Sequence, residues 1–363
     1  MVYQTSPLPP SSFSSSSSSS FNFTSMPTTM NNNNNITTYE RKRNMASSSI
    51  NNKTSCYSGS CCCNSSNGGV TKQVEELVLQ ITNPLLRPHA ILELRQMRNI
   101  CFGCFAPWLW YSFGTIAALL QEIVSVYPAL LSAKLTPEAS NQACNAVSLL
   151  QSVAAHPDTR LLFLNAHIPL YLYPFLYTTC NSKPFEYLRL TSLGVIGALV
   201  KENDADAVSF LLKTEMVPLC FRSMEVGGQL SKNVATYIFE RILQADIGLE
   251  YIFARADRFA AVGRILQDMV TSLAVVEKPP SSLLKHIICC YLRLSEDQRA
   301  CEVLRKSLPY TLGDGTFSSC LHEDPTTKRK LQQLINNVSE SNKMTAAQAG
   351  GLDHMVANQA RVL

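Results

Sequence analysis

Between about Lys72 and Asn337 the apolar positions of this chain recur every three or four residues, the period of a helix with one buried face. The stripe is widest in PFEYLRLTSLGVIGALVK, Pro184–Lys201, where it wraps most of the way round the helix. A helix so nearly free of charge must pack on two sides, which places it in the middle of a layered helical stack. Pro184 and Lys201 supply the start and stop signals of a buried helix. Ahead of it, helices are predicted near Lys72–Thr82, Ala90–Met97, Leu109–Val126, Pro137–Ala155, Thr159–Ala166 and Leu170–Tyr177. Beyond it they are predicted near Asp206–Lys213, Pro218–Glu225, Ser231–Gln244, Leu249–Ala254 and Phe259–Leu273, and then near Ser282–Leu294, Gln298–Ser307 and Thr326–Asn337. Strand-like alternation bounded by hairpin turns is nearly absent. Short polar turns such as His156-Pro157-Asp158, Asn203-Asp204 and Gly227-Gly228 separate the helices. The pattern is all-α.

An internal repeat sharpens it. Leu162, Ile168, Pro169 and Leu170 reappear in order as Leu211, Val217, Pro218 and Leu219. Each copy follows a long apolar helix, Pro137–Ala155 or Phe185–Lys201, and consists of a polar turn, a short helix and a Pro-initiated helix. A looser third copy runs from Ser231 through Ile252 to Phe259 and Leu266. A period of about 40–50 residues with two short helices and one long one is that of armadillo-type repeats. One such repeat leaves an apolar face open, so stability comes from stacking on neighbours. The expectation is an armadillo-type α-solenoid of about six repeats.

Composition confines the repeats to residues 71–338. Met1 to about Val70 is mostly Ser, Asn, Thr and Pro, with the runs Ser14–Ser20 and Asn31–Asn35. Such a segment cannot bury enough apolar surface to offset its ordering entropy, so residues 1–70 are expected to be a disordered tail. The polar stretch 339–363 is expected to be a second flexible tail. A net charge of +4 is mild and does not demand a nucleic-acid partner. No apolar run reaches the ~18 residues of a membrane span, and the start lacks the charged and apolar regions of a secretory signal. Serine richness without acidic residues before Glu40 is similar to a plastid transit peptide. Import signals are basic, however, and no Lys or Arg precedes Arg41.

Thirteen cysteines raise the question of disulfides or zinc. Cys144, Cys220, Cys289, Cys290 and Cys301 fall in apolar helical stretches, where a free thiol behaves as a small buried hydrophobe. Cys101-x-x-Cys104 has no second ligand pair at zinc-ribbon spacing, and Cys61–Cys63 lies in the tail, as a lipidation site or as incidental composition. No metal or cofactor is expected. G-x-x-x-x-G-K-[ST], G-x-G-x-x-G after a strand, H-E-x-x-H and G-x-S-x-G are all missing. Gly313-Asp314-Gly315 reads as a turn, His167 and His286 as structural imidazoles, and Glu122 has no second acid nearby. These features point to a surface that binds rather than a site that catalyses.

LWYSFGTIAALLQEIV (Leu109–Val124), NQACNAVSLLQSVAAHPDTR (Asn141–Arg160) and the Pro184–Lys201 helix resemble the cell-differentiation (Rcd-like) family of armadillo proteins. LLKHIICCYLRLS (Leu283–Ser295) and DPTTKRKLQQLI (Asp324–Ile335) extend the resemblance over about Lys72 to Asn337. That family supplies the ninth subunit of the CCR–NOT mRNA deadenylase complex. The resemblance implies a crescent-shaped, non-enzymatic adaptor that binds the NOT scaffold subunit and short linear motifs of RNA-binding regulators. Through them it would promote mRNA deadenylation, decay and translational repression. It further implies residence in the cytoplasm, including mRNA-decay granules, and in the nucleus.

Carried over by position, the family's concave peptide groove falls on Tyr111, Phe113, Ala117 and Val124 and continues through Tyr187, Gly194 and Val234. Spacing agrees, since Phe113, Ala117 and Val124 share one helical face, as do Tyr187 and Gly194. Gly194 costs about 1 kcal/mol relative to Ala inside a helix. Either a docked helix backbone approaches it closely, or it permits tight packing between helices. Animal members also carry tryptophan-accepting pockets on the other face, whose arginines match Arg258 and Arg299; Ala256 replaces the aromatic usual there. A second departure is the apolar patch Asn99–Phe105. The alternative is a nucleic-acid-binding armadillo protein acting in transcriptional regulation. In it Arg189, Lys201, Arg222, Lys232, Arg241, Lys285 and Arg293 would line a basic groove for single-stranded nucleic acid; otherwise they are solvated helix faces or aliphatic cover for the core. The apolar flanks of a solenoid also leave a homodimer open, and no membrane association is expected.

Overall fold

Every regular element among the described residues is a helix, as the apolar period demands; a computed structural model describes residues 68–98, 105–202 and 204–339. The tails up to Asn67 and from Glu340, the Cys61–Cys63 run, the Cys101/Cys104 pair and most of the Asn99–Phe105 patch lie outside the described residues. The first helices are α1 (Gly68–Gln80), α2 (Arg87–Met97), α3 (Phe105–Tyr111), α4 (Thr115–Ser125) and α5 (Tyr127–Leu131). Then come α6 (Pro137–Ala155), α7 (Pro157–Asn165), a 3-10 turn (Ile168–Leu172) running into α8 (Tyr173–Tyr177), and α9 (Lys183–Leu199). The same three-part unit recurs as α10 (Ala205–Lys213), α11 (Met216–Val226) and α12 (Gln229–Gln244), and as α13 (Asp246–Phe253), α14 (Ala256–Ala274) and α15 (Ser281–Leu294). The last unit holds α16 (Gln298–Ser307), a 3-10 turn (Tyr310–Leu312), α17 (Ser318–Glu323) and a helix over 325–339, α18.

The long helices α6, α9, α12 and α15 pack each against the next, so the expectation of an armadillo-type α-solenoid is borne out. α9 shows why. Leu188, Leu193, Val195, Ile196 and Leu199 are buried all round the helix, because α6 covers one side and α12 the other. Each such side chain contributes about 1.5–3 kcal/mol by leaving water, and truncating Leu193 to Ala is expected to cost about 2–5 kcal/mol.

Polar ties hold the long helices in parallel register. Ser140 Oγ donates to Pro184 O at 2.7 Å and Gln151 Nε2 to Gly194 O at 3.1 Å. Gly228 N donates to Glu186 Oε1 at 2.8 Å, and Arg241 Nε to Val200 O at 3.2 Å. These partners lie 41 to 44 residues apart along both seams, one repeat each. The short helices start on capping side chains: Asp204 accepts from Asp206 N and Ala207 N, and Asp297 from Ala300 N, each cap supplying about 1 kcal/mol.

The structure adds α5 and α17, which were not among the expected helices, and departs from the expected elements in other places. The single helix expected over Leu109–Val126 is broken at Gly114, whose φ of +75° favours glycine. A Cβ there would stand 3.3 Å from Thr82 Cγ2. The helix expected over Leu170–Tyr177 opens as a 3-10 turn, and α1 begins at Gly68, ahead of the expected Lys72.

Candidate functional site

The break at Gly114 presents a ring to solvent. Phe113, in the turn before it, is 98% exposed, and Tyr111, at the end of α3, is 69% exposed. Ala117 and Val124 follow on the open face of α4. Because the turn lies against Thr82, the end of α1 is its neighbour, and that segment shows Leu79 and Leu85, 69% and 90% exposed. Isolated exposed leucines are ordinary; here four exposed apolar side chains lie on neighbouring segments. Beneath it Glu122 accepts from Arg87 Nη1 at 3.1 Å and from Gln142 Nε2. Glu122 is thus a tie between α4, α6 and the start of α2.

Tyr187 and Gly194 on α9, and Val234 on α12, form a second cluster. All three are half-buried, and Tyr187 and Val234 rest on the core. Gly197 faces the Tyr237 ring and Ile238, a register that sets Val234 level with Gly194. The seven residues assigned to one groove thus lie at two places along the stack, on α3–α4 and on α9–α12. α4 and α9 both pack on α6, which stands between them. The space above Gly194 is partly filled, since a Cβ there would lie 3.2 Å from Gln151 Nε2; tight packing between helices accounts for at least part of the need for a small residue. Leu79, Leu85 and Gln151 escaped the sequence reading. For Leu79 a signal existed, because it lies off the Val74, Leu77, Val78, Ile81 stripe that is buried.

The tryptophan-pocket arginines are differently placed. Arg258 Nη1 donates to Tyr251 O at 2.9 Å and its guanidinium lies 3.6 Å over the Tyr251 ring, a cation–π contact that occupies it. Arg299 is exposed on the first turn of α16, and Ala256 is exposed at the start of α14.

The proposed basic groove does not assemble, and four of its members need correcting. Arg189 is fully buried, paired with Glu186, and donates to Thr178 O and Cys180 O at 3.0 Å each. Arg241 is turned onto the Val200 and Lys201 carbonyls. Arg293 is turned onto Leu243 O and the carboxylates of Asp246 and Glu296. Arg222 lines a pocket on the outer helices with Tyr177, Phe221, Ala261 and Ile265, away from the long-helix ladder. Of the remaining three, Lys285 pairs with Asp324 at 3.4 Å and Lys201 with Glu202 at 3.7 Å, while Lys232 is half-buried on α12. His286 meets Glu240 at 2.5 Å, and His167 sits edge-on to Phe210; both imidazoles bridge neighbouring elements.

Comparison with known proteins agrees with this architecture. A family model described as cell differentiation family, Rcd1-like, matches residues 77–338. The cell differentiation protein rcd1 of Schizosaccharomyces pombe is 51% identical over 267 residues, 74% of this chain and 93% of its own. Protein CAF40 of Saccharomyces cerevisiae is 51% identical over 263 residues, 72% of this chain and 70% of its own. The crystal structure of an engineered protein superposes with a TM-score of 0.54 over 74% of this chain and 97% of its own, at 13% identity, a likeness of fold alone.

Proposed function

The chain belongs to the Rcd1-like cell differentiation family, and on that premise we propose that it is a non-catalytic adaptor of a CCR–NOT-type mRNA deadenylase complex. In this reading the α3–α4 patch seats the NOT scaffold, because side chains as open as Phe113 and Leu85 require a standing partner. The half-buried stripe along α9 and α12 suits transient capture of short helical motifs from RNA-binding regulators. Deadenylation, decay and translational repression are thereby aimed at selected transcripts, in the cytoplasm with its decay granules and in the nucleus.

The observation that carries the reading is Phe113, 98% exposed in a turn that ends on a left-handed glycine. An immobilised NOT scaffold fragment is expected to retain the purified protein in mild salt and to release the Phe113→Ala, Val124→Glu variant. Failure to retain the unaltered protein would overturn it.

A further inference from the structure

Outside both patches, five polar side chains from three successive long helices converge. Glu240 on α12 meets His286 Nδ1 of α15 at 2.5 Å and accepts from Gln244 Nε2 at 3.1 Å. On α15, one turn from His286, the Cys289 thiol accepts from Lys330 Nζ of α18 at 3.0 Å. Glu240 also reaches the Cys289 thiol and lies in the field of Lys330. Cys289 is 6% exposed and unpaired by any disulfide. Helices 41 residues apart in sequence thus place a sulfur and an amine in direct contact.

We propose that Cys289 and Lys330 are a modification site, joined by a sulfur–nitrogen bond when the protein meets a peroxide. In the first step the Cys289 sulfur attacks one oxygen of hydrogen peroxide and the O–O bond breaks. Sulfur is oxidised by two electrons to the sulfenic acid, and the thiol proton leaves with the other oxygen as water. The Lys330 ammonium then gives one proton to solvent. Its free amine attacks the sulfenic sulfur, the S–N bond forms, and the S–O bond breaks. The departing hydroxide takes a second nitrogen proton and leaves as water. One thiol, one amine and one peroxide become one S–N link and two waters.

The surroundings favour this product over ordinary thiol oxidation. Burial and the Glu240 carboxylate push the Cys289 thiol up, while Lys330 draws it down, so the thiolate that attacks peroxide is the form held against the Lys330 amine. Once the sulfenic acid forms, the atom already touching sulfur is Nζ. The link would fasten α18, the last helix of the described stack, to α15. Terminal units of a solenoid gain most from such a tie, since they stack on one side only.

The test is mass spectrometry of the full-length protein after exposure to hydrogen peroxide, denaturation, alkylation and digestion. The expected product joins the Cys289 and Lys330 peptides at a mass two hydrogens below their sum. It should be lost in Cys289→Ser and in Lys330→Arg, and reversed by a thiol reductant. Recovery of Cys289 alkylated, or as its sulfinic acid with Lys330 unlinked, at doses that oxidise other cysteines of the chain would overturn the proposal. Should either variant fail to fold, the product from the unaltered protein decides the matter.

Discussion

Gln151 Nε2 donates to the Gly194 carbonyl at 3.1 Å across the α6–α9 seam, and a Cβ on Gly194 would stand 3.2 Å from that same nitrogen. The glycine therefore makes room for a carboxamide from the preceding repeat. The atom in the way is the far end of a flexible side chain, which can swing aside. Alanine at this position gains about 1 kcal/mol of helix propensity and forfeits a hydrogen bond worth about 1 kcal/mol. Gly194→Ala is expected to stay within about 1 kcal/mol of the unaltered protein in urea denaturation. A loss of several times that would mean the seam cannot adjust.

Arg189 behaves as a core residue. Its guanidinium joins Glu186 to the Thr178 and Cys180 carbonyls, and Glu186 in turn accepts from Gly228 N. One cation thus locks the loop before α9 and the start of α12. Removing it leaves a largely buried carboxylate unpaired, which costs about 3–5 kcal/mol. Arg189→Lys is expected to rescue little, because one ammonium cannot span a carboxylate and two carbonyls. Denaturation midpoints for Arg189→Ala and Arg189→Lys check this; a full rescue by lysine would refute the two-pronged role.

Acid should loosen the stack through Glu240. Burial alone would push its carboxyl up, but the His286 hydrogen bond and charge, with Cys289 and Lys330, hold it below the usual carboxylate range. A depressed folded pKa gives stability that is complete above the unfolded value, about 4.3 for Glu, and lost as pH falls through the folded value. Asp324 acts in the same sense: burial pushes it up, and Thr326, Thr327 and Lys285 bring it well below. Unfolding free energy is expected to fall as pH drops from about 5 towards 3, and Glu240→Gln to flatten that slope. An unchanged slope in the variant would show that the carboxyl is not tied to His286 in the folded protein.

The long helices were legible in the sequence because their apolar stripes wrap so far round, as in α9, and because Pro184 marks a start. What was not legible depends on tertiary partners. A charged residue reads as exposed by type, yet Arg189 is buried by a loop whose carbonyls only the fold brings near. Phe113 and Val124 read as one helical face, but the left-handed Gly114 separates the ring from the helix that carries the valine. Tyr187 and Gly194 could be placed on one face by spacing; that Gln151 shares their seam could not.

Arg241 and Arg293 decide between a stacking role and a nucleic-acid surface. Each reaches back one repeat to the carboxyl end of the preceding long helix, Arg241 to Val200 O and Lys201 O, Arg293 to Leu243 O at 3.0 Å. Positive charge at a helix carboxyl terminus is stabilising in itself, and Arg293 is further held by Asp246 at 2.6 Å. Guanidinia engaged in this way have little left for phosphate. If single-stranded RNA binds the protein at all, each phosphate contact removed should reduce the slope of log affinity against log salt by about 0.7. Arg241→Gln and Arg293→Gln are expected to leave that slope unchanged while lowering the thermal midpoint, because the ties between repeats are lost. A slope reduced in either variant, with stability intact, would return these arginines to an RNA-binding surface.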